Sequence, residues 1–206
     1  MVPVRALVVA PACTLGMVTL GLAFAGERSA TGPDAAFASW AESLPRPLLS
    51  ALVLPTEPPL ILGAIAIVAF CLGTRRRWSG VALIFAAPAL AVTLNGLVLK
   101  PLFGRYYTDH LAYPSGHTVS LAAAVVVLVL LARRHAAKAG AAAAGVLLVT
   151  AAGIGMAGLG YHYATDVLGG ALWAVAVTTA IAWGLARYGR RGGGVPRQRR
   201  EPADRT

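Results

Sequence analysis

Six long apolar runs constrain the fold of this 206-residue chain more than any other feature of its sequence. As helices, runs of this length can cross a hydrocarbon layer of about 30 Å. We place them at about 6–25, 58–73, 80–99, 116–132, 140–160 and 165–186. Only 13% of the residues are charged, about half the share that is usual in a soluble domain. The sequence therefore predicts an all-α integral membrane protein with six transmembrane helices in a compact bundle.

The basic residues indicate the orientation of this bundle. If the six spans alternate across the bilayer, 14 of the 18 Lys and Arg residues fall on one side, including seven arginines from Arg187 onward. Because positively charged loops stay in the cytoplasm, we expect a multi-pass protein of the cell membrane with both termini cytoplasmic. The basic segments suit anionic lipid head groups, and without a nucleic-acid-binding fold we expect no nucleic-acid partner.

The connections between the spans are short, which predicts one domain over 1–188 with its motifs at 95–170. A basic, disordered cytoplasmic tail is expected over 189–206. Two alternatives concern the ends of spans. Ala23–Gly26 resembles a signal-peptide cleavage site, although an apolar run of about 20 residues favours a retained span. Leu48–Leu54 is either an interfacial helix or an early start of the second span.

The connection between the third and fourth spans contains the first group of chemically capable residues, on the extracytoplasmic side of the predicted bundle. Lys100 and Arg105 supply positive charge there. In Pro114–His117, free amides at a helix N-terminus form an anion site. Ser115 adds a hydroxyl to this site, and Gly116 lets an anion approach the backbone closely.

The connection between the fifth and sixth spans, on the same side, contains the second group. His162 and Asp166 are four residues apart and therefore lie on one face of a helix. A carboxylate in this position can hold the proton on Nδ1 and leave Nε2 free as a nucleophile or base.

Taken singly, these features also have ordinary explanations as capped helix starts and interfacial side chains. Taken together, two histidines, a carboxylate, two cations and a helix N-terminus at one membrane face suit phosphoryl transfer through a phosphohistidine. No cluster of carboxylates or cysteines in the sequence suggests a metal site, so we expect neither a metal nor another cofactor.

These motifs resemble those of the type 2 phosphatidic acid phosphatase superfamily, the membrane lipid phosphatases related to bacterial acid phosphatases and vanadium haloperoxidases. The family motifs are Lys-x6-Arg-Pro, Pro-Ser-Gly-His and Ser-Arg-x5-His-x3-Asp. The second is complete at Pro114–His117, the first keeps Lys100, and the third keeps His162 and Asp166 within "GYHYATDVLGG". The resemblance covers roughly 55–186 and matches the order and placement of the motifs.

The resemblance implies a role for each matching residue. His162 is expected to be the nucleophile and Asp166 its orienting partner. His117 is expected to be the general acid and later the base that activates water. Lys100, Ser115 and Gly116 are expected to bind the phosphate.

Two arginines of the family motifs are absent from this chain. Tyr107 and Thr108 stand at the Arg-Pro positions of the first motif, and Gly155 and Met156 stand at the Ser-Arg positions of the third. Arg105 lies two residues before Tyr107, where many relatives have a Gly-Arg pair, and is predicted to replace one phosphate-binding arginine. His110 and Tyr161 are interpreted as interfacial side chains that could contribute.

The sequence thus predicts a bacterial membrane phosphatase that acts on phosphatidic acid, phosphatidylglycerol phosphate or a polyprenyl diphosphate. The alternatives are a lipid phosphotransferase or diphosphate-specific variant, and a catalytically degenerate member that binds lipid. Retention of His117, His162 and Asp166 favours an enzyme over a lipid-binding member, because a binder needs no oriented nucleophile.

Two further features concern access and assembly. The outer loop 26–57 carries four acidic residues and is expected to shape access to the site. Gly153, Gly155 and Gly158 permit close helix packing, either within the chain or in a homodimer.

Overall fold

The computed structural model describes the backbone of residues 3–192 and the side chains of residues 6–188. In chain order, its helices are α1 Pro3–Ala23, α2 Gly32–Glu42, α3 Arg46–Val53, α4 Pro58–Thr74, α5 Trp78–Leu94, α6 Lys100–Phe103, α7 Gly116–Leu131, α8 His135–Gly158 and α9 Ala164–Gly192. A 3-10 turn, Leu54–Thr56, joins α3 to α4, and a π-helical turn, Asn95–Leu99, joins α5 to α6. Two short strands, β1 Tyr106–Tyr107 and β2 His110–Leu111, form an antiparallel hairpin.

Within residues 3–192, the helices fit the six predicted spans. Five segments of this described part are long and apolar enough to cross a membrane: Ala6–Ala23, Arg46–Thr74, Trp78–Phe103, His135–Gly158 and Ala164–Tyr188. The sixth is α7, an apolar helix of 16 residues. The prediction of an all-α integral membrane protein is therefore confirmed.

Helix α9 lies at the centre of the bundle and packs along α1, α5 and α7. Small side chains make this close packing possible, since Ala122, Ala123 and Ala174 form one buried cluster between α7 and α9. Helix α1 is integrated with the rest of the bundle, because Met17 is buried and its carbonyl accepts a hydrogen bond from the Tyr113 hydroxyl. That the first span is retained stays a prediction.

The outer loop 26–57 contains two helices that fold onto α8, one of which, α2, was not predicted. Segment Leu48–Leu54 belongs largely to α3, and an extended backbone at Glu57 separates it from α4. Two glycines of α8 face these helices: a Cβ at Gly155 would lie 2.7 Å from the Leu49 carbonyl oxygen, and one at Gly158 would lie 2.8 Å from the Ala41 carbonyl oxygen. Both glycines therefore serve packing within the chain.

Helix α9 extends beyond residue 188, the predicted end of the membrane domain. The helix continues to Gly192, four residues into the segment 189–206 that was expected to be a disordered cytoplasmic tail. The remainder of that segment, 193–206, lies outside the described residues.

Candidate active site

The N-terminus of α7 and the start of α9 lie side by side at one end of the bundle. The Ser115 amide donates a hydrogen bond to the Asp166 carbonyl at 3.0 Å, which fixes one helix start against the other. This contact brings the rings of His117 and His162 together, with centroids 5.8 Å apart and planes at 68°. Both histidines line the same cavity, as the motif spacing predicted.

Asp166 is fully buried and lies behind His162. Its Oδ2 accepts a hydrogen bond from the Tyr163 amide at 2.9 Å and is 3.8 Å from Nδ1 of His162. That separation is longer than a hydrogen bond. Nδ1 of His162 is nevertheless buried and has no hydrogen-bond partner among the described residues. Asp166 is therefore the group placed to accept a hydrogen bond from a proton on Nδ1. Nε2, on the other edge of the ring, is then the nitrogen with a free lone pair.

Burial dominates the protonation of His162, which lies in the short connection between α8 and α9. Removal from solvent lowers the pKa of His162 below its ordinary value, because the charged imidazolium loses hydration. The negative charge of Asp166 opposes this effect, while Lys100 and His117 reinforce it. The balance favours a neutral imidazole, the form that can act as a nucleophile.

The Arg105 side chain points away from the cavity. Its side chain is fully buried and does not line the cavity. Nη1 donates to Asp166 Oδ1 at 2.7 Å, and Nη2 donates to Asp34 Oδ2 at 2.8 Å. Carboxylates of the protein thus occupy both terminal nitrogens of Arg105. That Arg105 binds substrate phosphate stays a prediction.

The Ser115 side chain also points away from the cavity. It is fully buried, and its hydroxyl oxygen caps α7 by accepting from the Thr118 amide at 3.4 Å. The same hydroxyl is 3.7 Å from the sulfur of Met156, and Ser115 does not line the cavity. A helix cap and the core take up this side chain, and its contact with phosphate stays a prediction.

The two positions where the family has arginines hold packing residues. Met156 is buried in the core beside Ser115. The ring of Tyr107 packs on Tyr163, with centroids 4.6 Å apart, and stacks near His110 at 6.1 Å. Neither Tyr107 nor Met156 lines the cavity, so neither replaces an arginine as a phosphate ligand.

Lys100 and Gly116 line the cavity, and their predicted contact with phosphate stays a prediction. The Lys100 ammonium donates a hydrogen bond to the Leu111 carbonyl, which anchors the side chain beneath the hairpin. The amides of Gly116 and His117 precede the first intrahelical hydrogen bond of α7 and are free to bind an anion. Asn95 supports this helix start, since its Nδ2 donates to the Pro114 carbonyl at 3.1 Å.

The cavity joins these polar groups to an apolar arm and has a volume of about 910 Å³. Its polar end contains Glu57, Lys100, His110, His117, Tyr161 and His162. Its apolar arm runs between α4 and α5 and is lined by Ile61, Leu62, Ile65, Phe85, Pro88, Ala89 and Val92. The shape fits an amphiphile with a polar head at the histidines and a chain between two transmembrane helices.

His110 and Tyr161 contribute to the cavity more than sequence reasoning indicated. The ring of His110 lies 5.9 Å from that of His162, and the ring of Tyr161 lies 6.5 Å from that of His117. A hydrogen bond of 3.0 Å between His110 Nε2 and the Tyr161 carbonyl joins the two connections. The sequence did not predict this position of His110, because it depends on the hairpin register that pairs Tyr107 with His110.

Metal ligands were also sought in the described part of the chain. There, no three His, Cys, Asp or Glu side chains are grouped as ligands for a metal ion. The absence of a metal requirement stays a prediction that an activity assay tests.

A six-span bundle with two histidines, a carboxylate and a lysine at one end defines an integral membrane protein equipped for nucleophilic and acid–base chemistry. Residues 85–190 match the PAP2 superfamily, and because this match covers more than half of the chain, the chain belongs to that superfamily. The resemblance seen in the motifs is thus confirmed.

One solved structure with the same fold is described as the first transmembrane PAP2 type phosphatidylglycerolphosphate phosphatase from Bacillus subtilis. The TM-score is 0.69 at 20% sequence identity, with 93% of this chain and 99% of that chain covered. At this identity the similarity shows a shared fold. No curated protein sequence matches the chain.

Proposed function

We propose that this protein hydrolyses the phosphomonoester or diphosphate of a membrane lipid, without a metal, through a phosphohistidine at His162. The observation that carries this proposal is the cavity, which places two histidines and Lys100 at the head of an apolar arm between α4 and α5. Membership of the PAP2 superfamily and the shared fold with a phosphatidylglycerolphosphate phosphatase support a lipid phosphatase.

In the first step, the lone pair on His162 Nε2 attacks phosphorus and forms an N–P bond. The bond between phosphorus and the leaving oxygen breaks, and that oxygen takes the electron pair and a proton from His117. Asp166 stabilises the positive charge that develops on the His162 ring. The 5.8 Å between the two ring centroids leaves room for a phosphoryl group between the histidines.

In the second step, His117 accepts a proton from a water molecule whose oxygen attacks phosphorus. The N–P bond breaks, its electron pair returns to Nε2, and inorganic phosphate leaves. Lys100 and the free amides of Gly116 and His117 hold the phosphoryl oxygens in both steps.

The substrate proposed here is a lipid whose phosphate lies at the extracytoplasmic head-group level. The charge distribution supports this side, because Arg75–Arg77 and Arg133–Arg134 lie in the connections at the opposite end of the bundle. Phosphatidic acid, phosphatidylglycerol phosphate and polyprenyl diphosphates all combine such a head with an apolar chain.

The test is phosphate release by the purified protein in detergent, with chelator present, from a panel of these three lipid classes. We expect release from at least one class, loss of on the order of 10³-fold or more in His162→Ala, and loss of about 10²- to 10⁴-fold in His117→Ala. An aryl phosphate, whose leaving oxygen needs no proton, should largely restore the first step in His117→Ala. Equal release by wild type and His162→Ala would contradict the proposed nucleophile.

The same preparation distinguishes the alternatives. Added alcohols that divert the phosphoryl group into new esters would indicate a phosphotransferase. Lipid binding without turnover on any substrate would indicate a catalytically degenerate lipid-binding protein.

A further inference from the structure

Asp34 is a buried carboxylate that belongs to neither of the predicted motif connections. It lies in the first turn of α2, within the outer loop 26–57, and only 1% of the residue is exposed. Its Oδ1 accepts from the Thr165 amide at 3.0 Å, and its Oδ2 accepts from the Thr165 hydroxyl and from Arg105 Nη2. Two of these three hydrogen bonds join α2 to the start of α9, because Thr165 lies 131 residues after Asp34 in the sequence.

Arg105 links Asp34 to the carboxylate behind the candidate nucleophile. While Nη2 binds Asp34, Nη1 binds Asp166 Oδ1 at 2.7 Å. The rings of Phe24 and Tyr163 pack against the guanidinium and limit its movement. Their centroids lie 4.4 and 4.5 Å from its central carbon. Because Oδ1 of Asp166 is held by Arg105, Oδ2 stays directed at His162.

Asp34 also fixes the helix that carries Asp166. Thr165 is the second residue of α9, where amides have no intrahelical partner and the helix dipole is positive. The carboxylate of Asp34 satisfies one of these amides from another helix. A shift of α9 would move Asp166 and the adjacent His162 together.

We propose that Asp34 is a positioning residue for the His162–Asp166 pair, acting through Arg105 and the first turn of α9. Its catalytic consequence rests on the function proposed above. Glu27 also reaches Arg105, at 3.4 Å, but its side chain is 28% exposed and its contribution is correspondingly smaller.

The proposal has an electrostatic consequence at His162. Arg105 is shared between two buried carboxylates, so the cluster of Asp34, Asp166 and Arg105 keeps one net negative charge. When Asp34 is made neutral, this negative charge is lost, and the imidazolium form of His162 becomes less stable. Besides Asp166, the titratable groups that face His162 are Lys100, His110 and His117.

The test compares Asp34→Asn with Glu42→Gln, which removes the same charge from an exposed position of the same helix. We expect kcat of Asp34→Asn to fall on the order of 100-fold, as for a small displacement of a reacting group. KM should stay within about twofold of wild type, because Asp34 does not line the cavity. Asp34→Glu, which keeps the charge, should recover part of the lost kcat, and Glu42→Gln should behave as wild type.

A second measurement does not depend on turnover. NMR of protein that contains isotopically labelled histidine follows the titration of His162. The His162 signal is assigned by its absence from the spectrum of His162→Ala. We expect the His162 titration to move to lower pH in Asp34→Asn and to remain in place in Glu42→Gln. An unchanged titration together with an unchanged kcat in Asp34→Asn would overturn the proposal.

The two measurements separate this inference from the proposed function. If wild type releases no phosphate from any lipid, the proposed function fails, and the His162 titration still decides the role of Asp34. If Asp34→Asn does not elute as a folded protein in detergent, Asp34→Glu replaces it, because the longer side chain displaces Arg105 and Thr165 while keeping the charge. A kcat below that of wild type, or a changed NMR shift of the His162 ring, supports the proposal in Asp34→Glu, and wild-type values of both contradict it.

Discussion

The environment of His162 favours the form that the proposed attack on phosphorus needs. The ring is almost fully buried, its Nδ1 is directed at a buried carboxylate, and its other edge faces the cavity. Burial and the nearby cations favour the neutral ring, while Asp166 stabilises the positive charge that forms when Nε2 bonds to phosphorus. In the proposed mechanism, the same residue is neutral before the reaction and stabilised during it.

This environment predicts the pH dependence of the reaction. Because burial lowers the pKa of His162, the neutral nucleophile persists below the ordinary histidine value of about 6.5. On the acid side, we expect kcat/KM to be lost as the pH falls through this lowered pKa, so the acid limb of the profile lies below about 6.5. A profile of kcat/KM from pH 4 to 9 measures it. An acid limb above about 7 would contradict this account of His162.

The motifs predicted His117, His162, Asp166, Lys100 and Gly116 at one site because their spacing fixes their helix positions. The motifs did not predict the direction of Arg105 and Ser115, because that direction depends on distant partners. Arg105 points away from the cavity because Asp34, in a different loop, offers a buried carboxylate. Ser115 points into the core because the amide of Thr118 needs a cap.

At the scale of elements, the loop 26–57 was predicted as an access segment, with Leu48–Leu54 as either an interfacial helix or an early start of the second span. Its helices α2 and α3 pack on α8 and are part of the scaffold. The sequence gives no periodicity that places α2 and α3 on α8, because short helices of mixed polarity resemble loops in composition. Their positions depend on Gly155 and Gly158, which admit backbone from α2 and α3 at distances that a Cβ would block.

Substitution of Gly158 tests this packing. A Cβ there would lie 2.7 Å from a Leu49 methyl group and 2.8 Å from the Ala41 carbonyl oxygen. We expect Gly158→Ala to destabilise the protein by about 1–3 kcal/mol, as overpacking does, and to lower the thermal transition in detergent. Gly140→Ala in the same helix is the matched control, since nothing lies within 4 Å of its Cβ position. Equal transitions for both variants would contradict the packing of α2 and α3 on α8.

The apolar arm between α4 and α5 offers a test of substrate class. Ala89 lines this arm, so Ala89→Phe would narrow it. We expect kcat/KM for a long-chain lipid phosphate to fall by about 10-fold or more, while that for a short aryl phosphate changes little. Ala66→Phe is the control, because Ala66 is exposed on α4 and does not line the cavity. Equal losses on both substrates would place the lipid chain elsewhere.

At the scale of the whole molecule, the site is at one end of the bundle and the arginine-rich connections are at the other. This arrangement predicts an extracytoplasmic site. After Cys13 and Cys71 are replaced by Ser, Thr108→Cys at the hairpin should react with a membrane-impermeant maleimide in intact cells. Lys138→Cys, at the opposite end, should react only after permeabilisation. The reverse labelling pattern would contradict the proposed orientation.

Capture of the covalent intermediate tests the central claim most directly. A lipid phosphate labelled in its terminal phosphoryl group is mixed with the protein, quenched in alkali within one turnover, and the labelled peptide is identified. We predict label on the imidazole of His162, none in His162→Ala, and accumulation in His117→Ala with an aryl phosphate, since water activation is then slow. Turnover of the lipid with no label on His162, or with equal label in His162→Ala, would contradict the account.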